Sequence, residues 1–309
     1  MTVQQKAFKS RRRYNQWVTN QTLEDFALRY TPVSARRWSA KRVVMTALSA
    51  ITFLALEAIG GALTLTYGFN YVVVAVILVS IIIFALSMPI AINAAKNGLD
   101  IDLLTRGAGF GYLGSTVTSL IYASFTFIFF ALEAAIMAMA LNMLFGLPLH
   151  FGYLIGSVVV IPLVTWGFTF ISRFQQFTQF CWLALQLLPF IFILIREHHV
   201  LQNWIDFPGF ITARDGSFDF LQLGAVCSVL LSLVSQVGEQ VDQVRFLPKP
   251  QHPARWRWYG AVIAAGPGWV VIGAIKILLG SFLAVLAFNY GLGAELASEP
   301  THMYLVAFS

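Results

Sequence analysis

The chain has 309 residues, of which 58% are apolar and only 11% charged, and its formal net charge is +6. A soluble domain carries roughly 25% charged residues, so this composition excludes a water-soluble globular protein and points to one whose surface lies largely in lipid. The two cysteines, Cys181 and Cys227, both fall inside apolar stretches, which reads as small core hydrophobes rather than a disulfide or a metal pair.

Residues 1–42 form a basic arm that carries ten of the twenty Lys and Arg but only two acids, Glu24 and Asp25. An arm of this kind just ahead of a first apolar run places the N-terminus in the cytoplasm by the positive-inside rule; binding to nucleic acid is not expected. Trp17 and Trp38 fit the headgroup level. Residues 43–309 read as a polytopic all-α membrane domain, because several segments reach the roughly 20 apolar residues that a spanning helix needs.

The first span runs from about Val43 to Tyr67 and contains Glu57 followed by Ile59-Gly60-Gly61-Ala62. A double glycine in mid-span permits close packing or an unwound turn; with Glu57 one turn away, the unwound turn is favoured. The second span covers about Tyr71 to Ile92. Between it and the third lies Asn93–Ser115, with a literal G-x-G-x-x-G at Gly109, Gly111 and Gly114. The dinucleotide fingerprint requires a preceding strand, so this one reads as a glycine-rich loop or short interfacial helix.

The third span, about Thr116 to Leu144, places Tyr122, Phe125, Phe129 and Glu133 at intervals of three and four, hence on one helical face. A face with an acid on it should point into the bundle. The fourth span is about Phe151 to Ile171, with Gly152 and Gly156 spaced for close packing. After a short loop at Ser172–Gln179 comes the fifth, about Phe180 to Ile195, then a longer loop holding His198-His199, which lacks the spacing of a metal site.

The sixth span organises the rest. Its apolar run turns polar in mid-membrane at Ser235, Gln236, Gly238, Glu239, Gln240 and Asp242. Charged side chains at that depth are costly and face a cavity or a partner, and an interrupted helix at the midplane marks a transporter binding site. The seventh span, about Ala261 to Phe288, buries Lys276, a possible partner for Glu239. The last residues, THMYLVAFS, read as the opening of an eighth span. Of the twenty Lys and Arg, seventeen fall in the loops that this topology places in the cytoplasm and two in the outer loops, which supports seven spans with the N-terminus inside a bacterial inner membrane.

Leu23-Glu24-Asp25 with Thr31-Pro32 and Arg36-Arg37-Trp38, then Leu103-Leu104-Thr105-Arg106, then Asp242-Gln-Val-Arg245-Phe246, taken in this order and spacing, resemble the signatures of the first family of nucleobase–cation symporters, the purine–cytosine permease relatives. The resemblance implies a 5+5 inverted-repeat transporter fold, here truncated, with helices one and six interrupted. It also implies a secondary transporter of nucleobases or related small heterocycles, coupled to sodium or protons and needing no other cofactor. Tyr122, Phe125, Phe129, Glu133, Ser235, Gln236, Gly238, Glu239 and Gln240 would then contact the solute. Carbonyls of Ile59, Gly60, Gly61 and Ala62 would hold the coupling ion. The aromatic expected on the sixth helix is replaced by Leu233 or Val234. The alternative is a solute-sensing membrane input module of a hybrid histidine kinase, with a downstream signalling domain. No nucleophile–base pair or metal cluster is evident, so an enzyme is not expected.

Overall fold

The computed structural model describes residues 26, 30–165, 167–196, 199–211, 218–250 and 255–308. Most of the basic arm, including Trp17 and Leu23-Glu24-Asp25, lies outside the described residues, as do His198 and Arg214. Among the described residues the chain is helical throughout, and five helices are long and apolar enough to cross a membrane. This is a multi-pass, all-helical membrane protein.

The segment expected as the first crossing is in two pieces, α1 (Ala40–Ser49) and α2 (Ala55–Tyr67), separated by five residues, and neither piece is among the five spanning helices. The side chain of Ser39 caps α1 by accepting from the amide of Arg42. The second crossing is α3 (Phe69–Asn97), which ends on Gly98 in the left-handed conformation. A short helix, α4 (Ile101–Thr105), and a π-helical turn at Arg106–Phe110 lead into the third crossing, α5 (Gly111–Phe145). Gly109 has φ +115° and Gly111 φ +64°, so the glycine motif is where the chain changes direction between two helices, with no strand before it.

The fourth crossing, α6 (Leu149–Thr165), is a shorter apolar helix, and the fifth, α7 (Gly167–Arg196), is longer than the sequence suggested. The expected loop at Ser172–Gln179 is instead helical. Ser172 is buried there and bonds the hydroxyl of Thr46 at 2.7 Å and Nε of Arg42 at 3.0 Å. The turn comes earlier, at Gly167, with φ +80°. In α6, Gly152 and Gly156 lie against Ala138 and Met137 of α5, as their spacing predicts.

After α8 (Val200–Ile205), the sixth crossing runs as α9 (Phe220–Leu231), a 3₁₀ turn at Ser232–Ser235, and α10 (Gln236–Val244). The seventh is also divided, into α11 (Arg255–Ala265) and α12 (Trp269–Asn289), around Gly266-Pro267-Gly268. Despite this helix-breaking run, Arg255–Asn289 together makes one apolar span of 35 residues, as the sequence predicts. Two short helices, α13 (Ala294–Ala297) and α14 (Pro300–Phe308), follow, the second over the residues expected to open an eighth span.

The core forms where the halves of crossings one and seven pair: α1 lies on α11, and α2 on α12. Backbones meet closely in the second pair. A Cβ at Gly60 would stand 1.9 Å from the carbonyl oxygen of Ile277, and one at Gly280 2.1 Å from that of Glu57. Small residues at such a crossing let dispersion and polar contacts replace the hydrophobic drive that lipid removes.

One end of the bundle is tied by residues of two motifs singled out from sequence, Arg36-Arg37-Trp38 and Asp242–Phe246. The buried guanidinium of Arg36 donates from Nε to Leu247 O at 2.9 Å, and it also bonds the carbonyls of Ala95 and Lys96. Desolvation lowers its pKa from the usual arginine value. It thus satisfies helix-end carbonyls that would otherwise be orphaned. Arg245 lies 3.7 Å from Asp100, and Asp242 accepts from the amide of Ile101 at 3.3 Å. Trp38 is buried and stacked on Phe246 at 4.8 Å, so it is a packing residue rather than a headgroup anchor. At the other end, the segment after α8 folds back on α2 and α3, with Phe210 N bonding Leu65 O and Phe69 N bonding Phe207 O.

Candidate functional site

Of the two breaks expected from the sequence, the first is present as a non-helical segment, while the sixth crossing stays helical through a 3₁₀ turn; both features lie a few residues before the glycines proposed for them. In the first crossing the unwound segment is Ala50–Leu54, and Gly60 and Gly61 lie within α2, facing Ile277 and the side chains of Met303 and Ala284. The glycine pair is therefore a packing surface. The carbonyls of Ile59, Gly60, Gly61 and Ala62 belong to a continuous helix, where they serve as i→i+4 acceptors, so the unwound turn expected to offer them to an ion is corrected. In the sixth crossing the interruption is the 3₁₀ turn that ends at half-buried Ser235, while Gly238 is helical in α10. Its missing side chain makes room for Tyr122, whose ring would lie 2.8 Å from a Cβ there.

The third-crossing face is built as its periodicity implies: Tyr122, Phe125, Phe129 and Glu133 are all half-buried and turned toward the bundle. Running along α5, they meet three different partners. Tyr122 packs on α10 at Gly238 and feels the charges of Glu239 and Asp242. Phe125 and Phe129 have ring centroids 4.6 Å apart, and Phe53, from the break in the first crossing, meets Phe129 edge-on at 5.1 Å. One residue further, Leu54 and Ala55 turn their amides toward the carboxylate of Glu133, with Ala55 N to Oε1 at 2.8 Å. Glu133 therefore caps the N-terminus of α2.

On α10 the polar cluster divides. Gln236 is buried and donates to Oε2 of Glu239 at 2.7 Å. Gln240, also buried, turns its amide nitrogen to the carbonyls of Ala265 at 2.9 Å and Ala47 at 3.3 Å. Gln240 thereby fastens α10 to α1 and α11, and its hydrogen-bonding capacity toward a solute is largely taken. Glu239 is only partly buried.

Lys276 does not reach Glu239. It pairs with Glu57 in the first turn of α2, because the contact of Gly60 with Ile277 and Gly280 with Glu57 sets the register of the two helices. The same carboxylate oxygen accepts from Gln186 at 2.6 Å, and the ammonium lies 4.8 Å from the ring of Trp182. Charge on Glu133 also acts on Lys276. Sequence reasoning missed Gln186 and Phe53. Gln186 carried a usable signal, a polar residue in the middle of an apolar span; Phe53 carried none, since its place depends on where the helix breaks.

A broad cavity of about 670 Å³ opens between α5 and α14, lined by Leu54, Glu133, Ile136, Met137, Thr301 and Tyr304 among others. This lies within the range of small-molecule sites, which is roughly 300–1,000 Å³. The capped start of α2, one residue from Phe53, forms part of its wall. No group of three or more His, Cys, Asp or Glu that could hold a metal occurs among the described residues.

The described residues form a multi-pass helical membrane protein with a half-buried aromatic face on α5. Comparison with family models, with curated proteins and with solved structures returns no match.

Proposed function

We propose that this protein is a secondary transporter of nucleobases or related small, flat heterocycles, driven by sodium or protons. The observation that carries this reading is the arrangement of the two breaks. Ala50–Leu54 and Ser232–Ser235 interrupt crossings on either side of the Tyr122–Phe125–Phe129 face, and a cavity reaches the first break. Helices interrupted in mid-membrane, where irregular backbone is tolerated only beside protein or a water-filled cavity, are a feature of secondary transporters. Aromatic faces suit planar rings, and Gln236 and Glu239 supply an amide and a carboxylate that can bond ring N–H and C=O edges. The sequence resemblance to the purine–cytosine permease relatives points to the same solute class. It also favours an N-terminus on the cytoplasmic side, with the Arg36–Asp100–Arg245 end of the bundle facing inward.

The test is uptake of labelled uracil, cytosine, adenine and hydantoin by proteoliposomes of the full chain under imposed sodium or proton gradients. Saturable uptake that depends on one gradient is the expected result. Saturable binding without uptake would favour a sensor module, and neither binding nor uptake of any of the four would overturn the heterocycle reading.

A further inference from the structure

The start of α2 is a helix N-terminus beside a cavity that Leu54 and Glu133 both line. Backbone N–H groups and the positive end of the helix dipole make such a terminus a receptor for anions, and broken transporter helices use it to hold substrate carboxylates. Here a carboxylate already occupies it. Glu133 reaches across from α5, and Ala55 N donates to its Oε1 at 2.8 Å, while the amides of Glu57 and Ala58 donate to Leu54 O at 3.1 and 3.2 Å. Leu54 and Glu133 both line the 670 Å³ cavity. A solute arriving through that cavity meets the back of an internal anion instead of a free helix end.

Other anion receptors in the neighbourhood are taken as well. The ammonium of Lys276 is buried at 1% exposure against Glu57 and under the ring of Trp182, and the guanidiniums of Arg36 and Arg245 are engaged at the far end of α10. The two acids of the polar cluster, Asp242 and Glu239, lie beside Tyr122.

We infer that Glu133 is a tethered carboxylate that fills the anion position of the site and thereby sets its charge selectivity: neutral or cationic solutes are admitted, and solutes bearing a carboxylate are rejected. The selectivity half rests on the proposed transport function; the occupancy half does not, and two measurements separate them.

The first measurement is thermal unfolding of the full-length chain in nanodiscs, in sodium acetate against sodium chloride at equal ionic strength. Glu133→Ala vacates the helix end, so free acetate should enter it and raise Tm in a saturable way. The parent should not respond, nor should Glu133→Gln, whose amide oxygen still accepts from Ala55. Equal responses in Glu133→Ala and the parent would overturn the occupancy. The second measurement compares uracil with uracil-6-carboxylate. The parent should bind the neutral compound at least about tenfold more tightly, because like charges brought together across a desolvated site cost more than the equivalent of a factor of ten. Glu133→Gln, which keeps the hydrogen bond without the charge, should narrow that gap to roughly threefold or less. A parent that binds both compounds equally, or a Gln variant with the full gap, overturns the selectivity. If Glu133→Ala does not fold, the acetate comparison is made with Glu133→Leu, which likewise offers Ala55 no acceptor. A parent that binds neither compound strikes the heterocycle reading and, with it, the selectivity, leaving occupancy to the acetate measurement.

Discussion

Lys276 and Glu57 form an ion pair between the seventh and first crossings, 219 residues apart in sequence, with side chains 1% and 0% exposed. One carboxylate oxygen accepts from both Lys276 and Gln186, while Oε2 of Glu57 finds no hydrogen-bond partner among the described residues. A buried pair is tolerated when both charges are present and becomes costly when one is removed.

Lys276→Met should therefore destabilise the protein by about 3–5 kcal/mol, and Glu57→Gln alone by a similar amount, whereas the double variant should recover much of the loss. Denaturation midpoints of the purified single and double variants check this. Simple additivity of the two losses would show that the charges do not depend on each other.

Gly60 and Gly107 make a matched pair for the packing argument. At Gly60 a Cβ would meet the backbone of Ile277, which cannot move without parting α2 from α12, whereas at Gly107 nothing lies within 4 Å. Gly60→Ala should cost at least the upper end of about 1–3 kcal/mol for overpacking, and Gly107→Ala should stay within about 0.5 kcal/mol. Monodisperse yield and Tm in detergent read both. A well-folded Gly60→Ala protein would contradict the close approach of the two helices.

Glu239 is held by Gln236 rather than by Lys276, so neutralising it strands no buried cation. Glu239→Gln should keep stability within about 1 kcal/mol, since a single hydrogen bond is at stake. It should nevertheless change the order of preference among uracil, cytosine, adenine and hydantoin, because an acceptor gains a donor. Competition binding is the measurement; an unchanged preference order would remove Glu239 from the solute site.

The proposed orientation predicts which loops can be labelled from outside. With Cys181 and Cys227 replaced by Ala, a single cysteine at exposed Lys249 should resist an impermeant maleimide on intact cells, and one at exposed Gly291 should react within minutes. The reverse pattern would turn the molecule over in the membrane.

What the sequence by itself determined was everything that depends on local pattern. Apolar length marked the helices able to cross a membrane: among the described residues five of the seven expected spans are long and apolar enough. The three-and-four spacing put Tyr122, Phe125, Phe129 and Glu133 on one inward face, and the spacing of Gly152 and Gly156 placed α6 against α5. Mid-span polar residues pointed to irregular backbone in crossings one and six, where residues 50–54 are non-helical and Ser232–Ser235 form a 3₁₀ turn. Tertiary structure alone decided where the breaks fall and which buried charge meets which. A helix in lipid stays wound unless its freed backbone groups find partners, so the first break lies where Glu133 can reach the amides of Leu54 and Ala55, rather than at the glycines. Those glycines, having no side chain, are what allow α2 and α12 to touch. That contact fixes the register that joins Lys276 to Glu57 and leaves Glu239 to Gln236. Pairings of this kind depend on backbone approach across more than 200 residues, and no periodicity within one helix encodes them.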